Sequence, residues 1–343
     1  MAVVKSNAYG HGLIGTAKIF EESGADWFGV DSVVEGIALR RAGVKRPILI
    51  LGYTLPERLR DAHSHDLSVT VSHAEHIRAL ARFLESAGGS ASAKIHIKID
   101  TGLNRQGFCP NGLEEAVALL RASPRIMVEG TYSHFAAAVP SERERSEKQI
   151  AAFCAAVAML CNHGLNLIRH MAATGGTIVF PEAQFDMIRI GIGLYGIFPS
   201  DEARAHVPEI KLFPALSWKT IAGETKNIPK GSAVGYNWIE MVSRDSRIAV
   251  CPVGYWHGIP RSVSSRVYVL IRGKRAKVLG RVSMDMIVVD ITEIHDAEIG
   301  DEAVLVGKQG EDEITAYEFA SLAETSPYEI ITCLNPLIRR MYV

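Results

Sequence analysis

The residue whose setting points most directly to chemistry is Lys5. It closes the short apolar run 2–4 and is followed by Ser-Asn-Ala-Tyr-Gly-His-Gly. If that run is a strand of a parallel barrel, the lysine stands at its C-terminal end, where barrel enzymes gather their reacting groups. An amine held among apolar walls is pushed towards its neutral, nucleophilic form. Gly10 and Gly12, in a turn that enters a helix, leave room for a phosphate beside it. Position alone leaves a solvated strand-end lysine equally open.

Other side chains invite similar readings. Arg105 ends Lys98-Ile-Asp-Thr-Gly-Leu-Asn-Arg, and a guanidinium fork suits a carboxylate or phenolate oxygen, although most loop arginines simply face water. Arg189 lies inside the apolar stretch 187–196. An unpaired buried charge is very costly, so it needs either a ligand or an ion pair with a carboxylate such as Asp186. His134 and His170 stand where apolar runs end, and each could equally be a satisfied core histidine. Tyr236 follows a glycine. As a base it would need a neighbour that stabilises phenolate, since a free phenol has a pKa of about 10; otherwise it is a turn or core residue.

The elements that must position these groups alternate in kind. Runs at 2–5, 27–30, 47–51, 68–71, 94–100, 127–134, 168–173 and 187–192 are short, apolar on both faces and rich in Val, Ile or Leu, as in strands buried within a parallel sheet. Helical spacing lies between them, most clearly at 35–43, 74–86 and 142–163. Eight such strands, with helices after the first seven, predict a (β/α)8 TIM-like barrel; a doubly wound sheet is the alternative. Residues 201–214 read as a linker. Period-2 strands at 217–221, 247–253, 266–271, 286–291 and 302–306, with a helix near 317–325, predict a mainly β C-terminal domain. The expected division is 1–210 and 211–343.

Bulk composition narrows the function classes. Of 343 residues, 48% are hydrophobic and 22% charged, enough for two cores. The net charge of -1 gives no electrostatic footprint for nucleic acid or an anionic membrane. Five scattered cysteines without metal or redox spacing fit a reducing cytoplasm, and no metal site is expected. No apolar run is long enough for a membrane span. Because Met1 leads at once into a strand, an N-terminal piece is expected to precede it.

The stretch Val3-Val4-Lys5-Ser6-Asn7-Ala8-Tyr9-Gly10-His11-Gly12 closely resembles the signature of alanine racemases, whose lysine carries pyridoxal 5'-phosphate. Blocks at 98–105, 131–135, 187–196, 231–238, 252–255 and 280–285 are similar to others of that family, in the same order, so the resemblance covers essentially the whole chain. It implies Lys5 and Tyr236 as two bases on opposite faces of the substrate, Lys5 for the D isomer and Tyr236 for the L isomer. It implies Tyr9, Thr174, the backbone of Gly191 and Ile192, and Tyr328 at the cofactor phosphate, with His134 against its ring. Arg189 would face the ring nitrogen, Arg105 the phenolate and the substrate carboxylate, and the Met284 amide that carboxylate. Lys98, often carbamylated in the family, would hold Arg105; His170 would pair with Arg189 and serve Tyr236; Tyr255 would lie at the entrance, and Asp285 would be a supporting residue.

The implied function is interconversion of L- and D-alanine, supplying D-alanine for peptidoglycan, in a cytoplasmic homodimer with active sites shared between subunits. A racemase of the same family acting on serine, lysine or other residues is the rival. A carrier barrel without catalysis would lack Tyr236 and the β domain, and a barrel-type decarboxylase needs an acidic group where Arg189 stands. Three places depart from the family pattern: Ala173 before Thr174, Trp256-His257 after Tyr255, and the terminal Asn335-Pro336-Leu337.

Overall fold

Strands without a polar face must lie inside a layered structure, and the first part of the chain is built that way. The computed structural model describes residues 1–89 and 91–343. They divide into two units, Met1–Phe213 and Pro214–Val343. No described helix is long and apolar enough to cross a membrane.

In the first unit β1 (Ala2–Val3), β2 (Phe28–Val30), β3 (Ile48–Ile50), β4 (Ser68–Val71), β5 (Ala93–Lys98), β6 (Ile126–Tyr132) and β7 (Ile168–His170) form one parallel sheet in sequence order. Strands β2, β3 and β4 are buried throughout. Helices follow all seven. Val33–Arg41, Ala74–Ala87 and Arg143–Asn162 correspond to the three clearest helical patterns. The Ser32 hydroxyl and the His73 ring cap the first two, satisfying amides that the helix leaves unpaired.

The expected strand at 187–192 is reduced to single bridges. Ile190 bridges Ala2 and Arg189 bridges Ala173, with Val3 N donating to Ile190 O at 2.8 Å and Arg189 N to Ala172 O at 2.9 Å. It is cut short because the backbone turns at Gly191 (φ -113, ψ -91) into the 3-10 turn Ile192–Tyr195. A second irregularity lies between β5 and β6, where the pairing passes from Ile95–Val128 to His96–Gly130. Glu129 is the extra residue of this bulge, a device that re-aims a side chain.

The second unit is antiparallel: β8 (Trp218–Ile221), β9 (Glu224–Ile228), β10 (Ala233–Val234), β11 (Glu240–Met241), β12 (Ser246–Cys251), β13 (Tyr268–Ile271), β14 (Lys274–Leu279), β15 (Ile287–Asp290), β16 (Glu302–Gln309) and β17 (Asp312–Ile314). Its main sheet runs β17-β16-β13-β14-β15-β12-β9, β8 pairs with β16, and β10 with β11 stands apart. Strand β14, Lys-Arg-Ala-Lys-Val-Leu, is hidden in the sequence by the cations on its exposed positions. Its hairpin partner β13 is joined to it through Arg272 and Gly273, at φ 53 and 72, as a two-residue turn between twisted strands requires. The helix expected at 317–325 is two helices, Ala316–Leu322 and Pro327–Thr332, separated where Glu324 takes φ 57 and Pro327 removes an amide. The expected linker contains the helix Asp201–His206, capped by Ser200.

The tightest backbone approach of the second unit is at Gly254, where an added Cβ would lie 2.2 Å from Ser283 O and 2.5 Å from Met284 O. Gly254→Ala should therefore destabilise the protein by about 1–3 kcal/mol, read as a lower urea midpoint at unchanged m-value. An unshifted midpoint would show that the two loops are not packed as described.

Candidate active site

In the first unit the sequence-predicted residues collect at the C-terminal ends of the strands. Lys5 follows β1, Lys98 ends β5, His134 follows β6, and His170 ends β7 with Thr174 just beyond. Lys5 Nζ donates to Asp31 Oδ1 at 3.3 Å across the neighbouring strand end. Its side chain is 38% exposed, so the apolar walls expected around it are replaced by a carboxylate. Asp31 was not anticipated, although a charged residue closing β2 stands level with one closing β1.

After Lys5 the chain does something costly. Ser6, Asn7, Ala8 and Tyr9 all take φ between 51 and 57, a left-handed turn at about 1–2 kcal/mol per residue. Local bonds hold it. Asn7 N donates to Glu35 Oε1 at 3.2 Å, Leu13 N to Asn7 Oδ1 at 2.9 Å, and Gly12 N to Asn7 O at 2.9 Å. The turn brings the Tyr9 hydroxyl against Gly191, where a Cβ would sit 2.5 Å from it. Opposite, the Gly193 amide donates to Thr174 Oγ1 at 3.3 Å. Among the described residues the amides of Gly191 and Ile192 have no backbone acceptor. Two hydroxyls and free amides around a glycine form a cradle that suits a phosphate.

Arg189 is 3% exposed and, among the described residues, forms no ion pair. Asp186 is engaged instead by Arg169, at 2.7 and 2.8 Å. Arg189 donates from Nη2 to Ser133 O at 2.7 Å and Met171 O at 2.9 Å, with His134 Nδ1 at 3.1 Å, and from Nη1 to His170 Nδ1 at 2.9 Å. Burial lowers its pKa to about 10, which leaves it charged at neutral pH. A guanidinium offers no lone pair, so both rings must present theirs at Nδ1 and carry hydrogen on Nε2. His170 Nε2 lies 2.8 Å from His96 Nδ1. Both nitrogens of His170 are thus engaged; His134 retains its Nε2. His96 was missed by the sequence reading, although it shares a strand face with Lys98 two residues on.

Positive charge accumulates here. Burial first, then Arg105, Arg189 and Lys5, pull the Lys98 amine down to about 8. Lys98 donates to Gln106 Oε1 at 3.2 Å and lies over the Tyr132 ring, 5.3 Å from its centroid. Burial and the same cations lower His134 to about 3. Four cations converging on one strand-end cluster suit a ligand with several anionic oxygens.

The second unit assembles its own set. Tyr236, 65% exposed, stands in a turn where Gly235, Asn237 and Trp238 all have positive φ. A Cβ on Gly235 would lie 3.2 Å from Arg281 N, so this turn rests on the segment that leads to Met284 and Asp285. Tyr255 N donates to Ser283 O and Trp256 N to Met284 O, both at 3.0 Å. Tyr328 lies on the helix Pro327–Thr332. The unusual residues bond to one another: Asn335 Nδ2 donates to Trp256 O at 2.9 Å and Asn335 N to His257 O at 3.2 Å. The His257 ring in turn accepts from Gly254 N at 3.1 Å.

Comparison with known proteins follows this division. Residues 1–199 match the family model described as alanine racemase, N-terminal domain, and residues 215–342 the alanine racemase, C-terminal domain. The alanine racemase of Symbiobacterium thermophilum is 40% identical over all of this chain and 90% of its own length. That of Carboxydothermus hydrogenoformans is 39% identical over all of this chain and 92% of its own. The crystal structure of Bacillus anthracis alanine racemase with bound L-Ala-P superposes with a TM-score of 0.92 at 34% identity, covering 97% of this chain and 85% of that one. Alanine racemase from Streptomyces coelicolor A3(2) gives 0.91 at 34%, covering 100% and 91%.

The neutral rings make an acid test. An unfolded histidine titrates near 6.5, whereas His96 and His134 are held at about 3, burial being the larger cause of each. Between these values the unfolded state binds more protons, so stability falls as pH drops. Each ring should remove on the order of 1 kcal/mol per pH unit below about pH 6.5, measured by urea unfolding. Stability that is flat from about pH 7 to about pH 5 would mean that these rings are charged in the fold.

Proposed function

The chain belongs to the alanine racemase family, and from that premise we infer that its interconversion of L- and D-alanine is carried by Lys5 and Tyr236 with pyridoxal 5'-phosphate. The observation that carries this reading is the convergence of Lys5, Lys98, Arg105 and Arg189 beside the cradle of Tyr9, Thr174, Gly191 and Ile192. No observation favours a wider range of amino acids. We read the first unit as a closed (β/α)8 barrel, supported by the bridges of segment 189–190 to both Ala2 and Ala173. Tyr236, Trp238, Met241, Trp256 and Met284 are all exposed, and large apolar side chains left open in this number are of the kind an interface covers, in keeping with a homodimer whose active sites are shared. All five cysteines are free, which suits a reducing cytoplasm.

When bound, pyridoxal phosphate supplies an electron-poor ring that stabilises negative charge at the substrate α-carbon. Lys5 would hold its aldehyde carbon. The cradle and Tyr328 would hold its phosphate, and His134 would lie against the ring face. Arg189, able only to donate, would leave the ring nitrogen unprotonated; that weakens the electron sink and limits side reactions such as transamination. Arg105 and the Met284 amide would orient the substrate carboxylate, with Tyr255 at the entrance and Asp285 in support.

The Lys5 amine takes the α-proton of the D isomer, and the Tyr236 oxygen that of the L isomer. His134, whose Nε2 remains available, is the ring that would serve Tyr236. The lowered pKa of Lys98 leaves part of it neutral near physiological pH, so it can add CO2 and place a carbamate beside Arg105.

Borohydride trapping followed by peptide mapping should place the cofactor label on Lys5. Lys5→Ala should fail with both enantiomers. Tyr236→Phe should lose about 10²–10⁴-fold in kcat with either enantiomer, because each direction needs both bases, while Lys5 still exchanges the α-proton of D-alanine with solvent. Label on another residue, or full-rate racemisation of L-alanine by Tyr236→Phe, would remove the assignment.

A further inference from the structure

The polar chain behind Arg189 does not end at His170. It continues through His96, which is fully buried, to the bulge of β6. Beyond that ring, His96 Nε2 faces Glu129 Oε2 at 4.0 Å, and Glu129 also accepts the Ser68 hydroxyl. The fold makes room for this ring. A Cβ on Gly130 would lie 2.6 Å from His96 Cε1 and Nδ1, so only glycine lets the imidazole lie against β6. The bulge that shifts the register at His96 is also what leaves Glu129 as the extra residue. Trp27 closes the remaining side, 5.3 Å from the His96 ring centroid.

We propose that His96 is a positioning residue of the reaction, which accepts the Nε2–H of His170 and thereby keeps the His170 lone pair at Nδ1 turned towards Arg189. The proposal rests on the reading that Arg189 meets the cofactor ring. A neutral imidazole has one donor and one acceptor nitrogen, and the acceptor opposite the donor selects between them. At each joint only one choice fits. Arg189 donates, His170 accepts at Nδ1 and donates at Nε2, and His96 accepts at Nδ1 and directs its Nε2–H towards Glu129. If His96 Nδ1 were absent, His170 Nε2–H would be buried without a partner. The alternative tautomer would then set an N–H against a guanidinium N–H and displace the arginine. At 4.0 Å the Nε2–H of His96 faces the Glu129 carboxylate without a hydrogen bond, so the orientation of the ring is imposed by the Arg189 end of the chain and favoured by that charge.

The test separates tautomer from turnover. With histidine rings labelled with 15N in the full chain without cofactor, His170 and His96 should each show the Nε2–H form alone. His96→Leu should produce exchange or mixing at His170 and lower kcat about 10- to 100-fold with little change in KM, the size of one buried donor left without a partner. His96→Asn, whose side-chain oxygen falls near the former Nδ1, should restore the His170 tautomer and most of kcat. An Nδ1–H form of His96 in the unaltered protein would overturn the proposal without any variant. A His170 tautomer left intact by His96→Leu would overturn it too, as would a folded His96→Asn that behaves like the leucine variant. If the unaltered chain does not racemise alanine, the functional reading falls, while the ring spectra still decide the role of His96.

Discussion

A buried guanidinium can neither accept a hydrogen bond nor readily shed its charge, so every polar atom around it must be an acceptor. Arg189 imposes that rule on the first unit. Two backbone carbonyls, Ser133 and Met171, answer it directly, which fixes the chain just beyond β6 and β7. Two imidazoles answer it by tautomer, and burial keeps them neutral. A carboxylate here would have been the simpler partner and would have neutralised the charge. Its absence leaves the cluster positive, which suits a phosphorylated cofactor and a substrate carboxylate.

Strain is concentrated at the opposite wall. The four left-handed residues after Lys5 lie between the reactive amine and the phosphate cradle, and no right-handed turn would carry the chain along the same path. Asn7 supplies both a backbone and a side-chain acceptor to the turn, and Glu35 bonds the backbone of Asn7 and of Asp31 together. One carboxylate thus anchors the second residue after Lys5 and the residue that pairs with Lys5. Strained backbone persists only where its surroundings over-determine it, and here they do.

Much of this arrangement was legible in the sequence because the signals were local. Apolar runs without a polar face marked seven parallel strands; Lys5 could be placed because it ends such a run, whereas Lys98 and His170 lie inside theirs and only the structure shows that β5 and β7 stop at them. What was not legible required contact between distant elements. Nothing local tells that Asp31 meets Lys5, or that both nitrogens of His170 are engaged. The bulge at Glu129 is invisible because a single extra residue does not disturb the pattern of a short strand. Strand β14 was missed for a different reason: its outward cations mask the alternation that its inward Ala276, Val278 and Leu279 would otherwise show.

The departures at Trp256-His257 and at Asn335 look independent along the chain, since nearly eighty residues separate them. In the fold they are one feature. The His257 ring accepts the Gly254 amide, and Asn335 reads the carbonyls of Trp256 and His257 with its side-chain and backbone N–H groups. The turn that carries Tyr255 is therefore held from both sides, and the Asn335 carbonyl is itself bound by Arg340. Replacing Asn335 removes the side-chain donor to the Trp256 carbonyl, and replacing His257 removes the acceptor of the Gly254 amide, so either change loosens the same turn. The terminal segment thereby becomes a support for the turn that carries Tyr255.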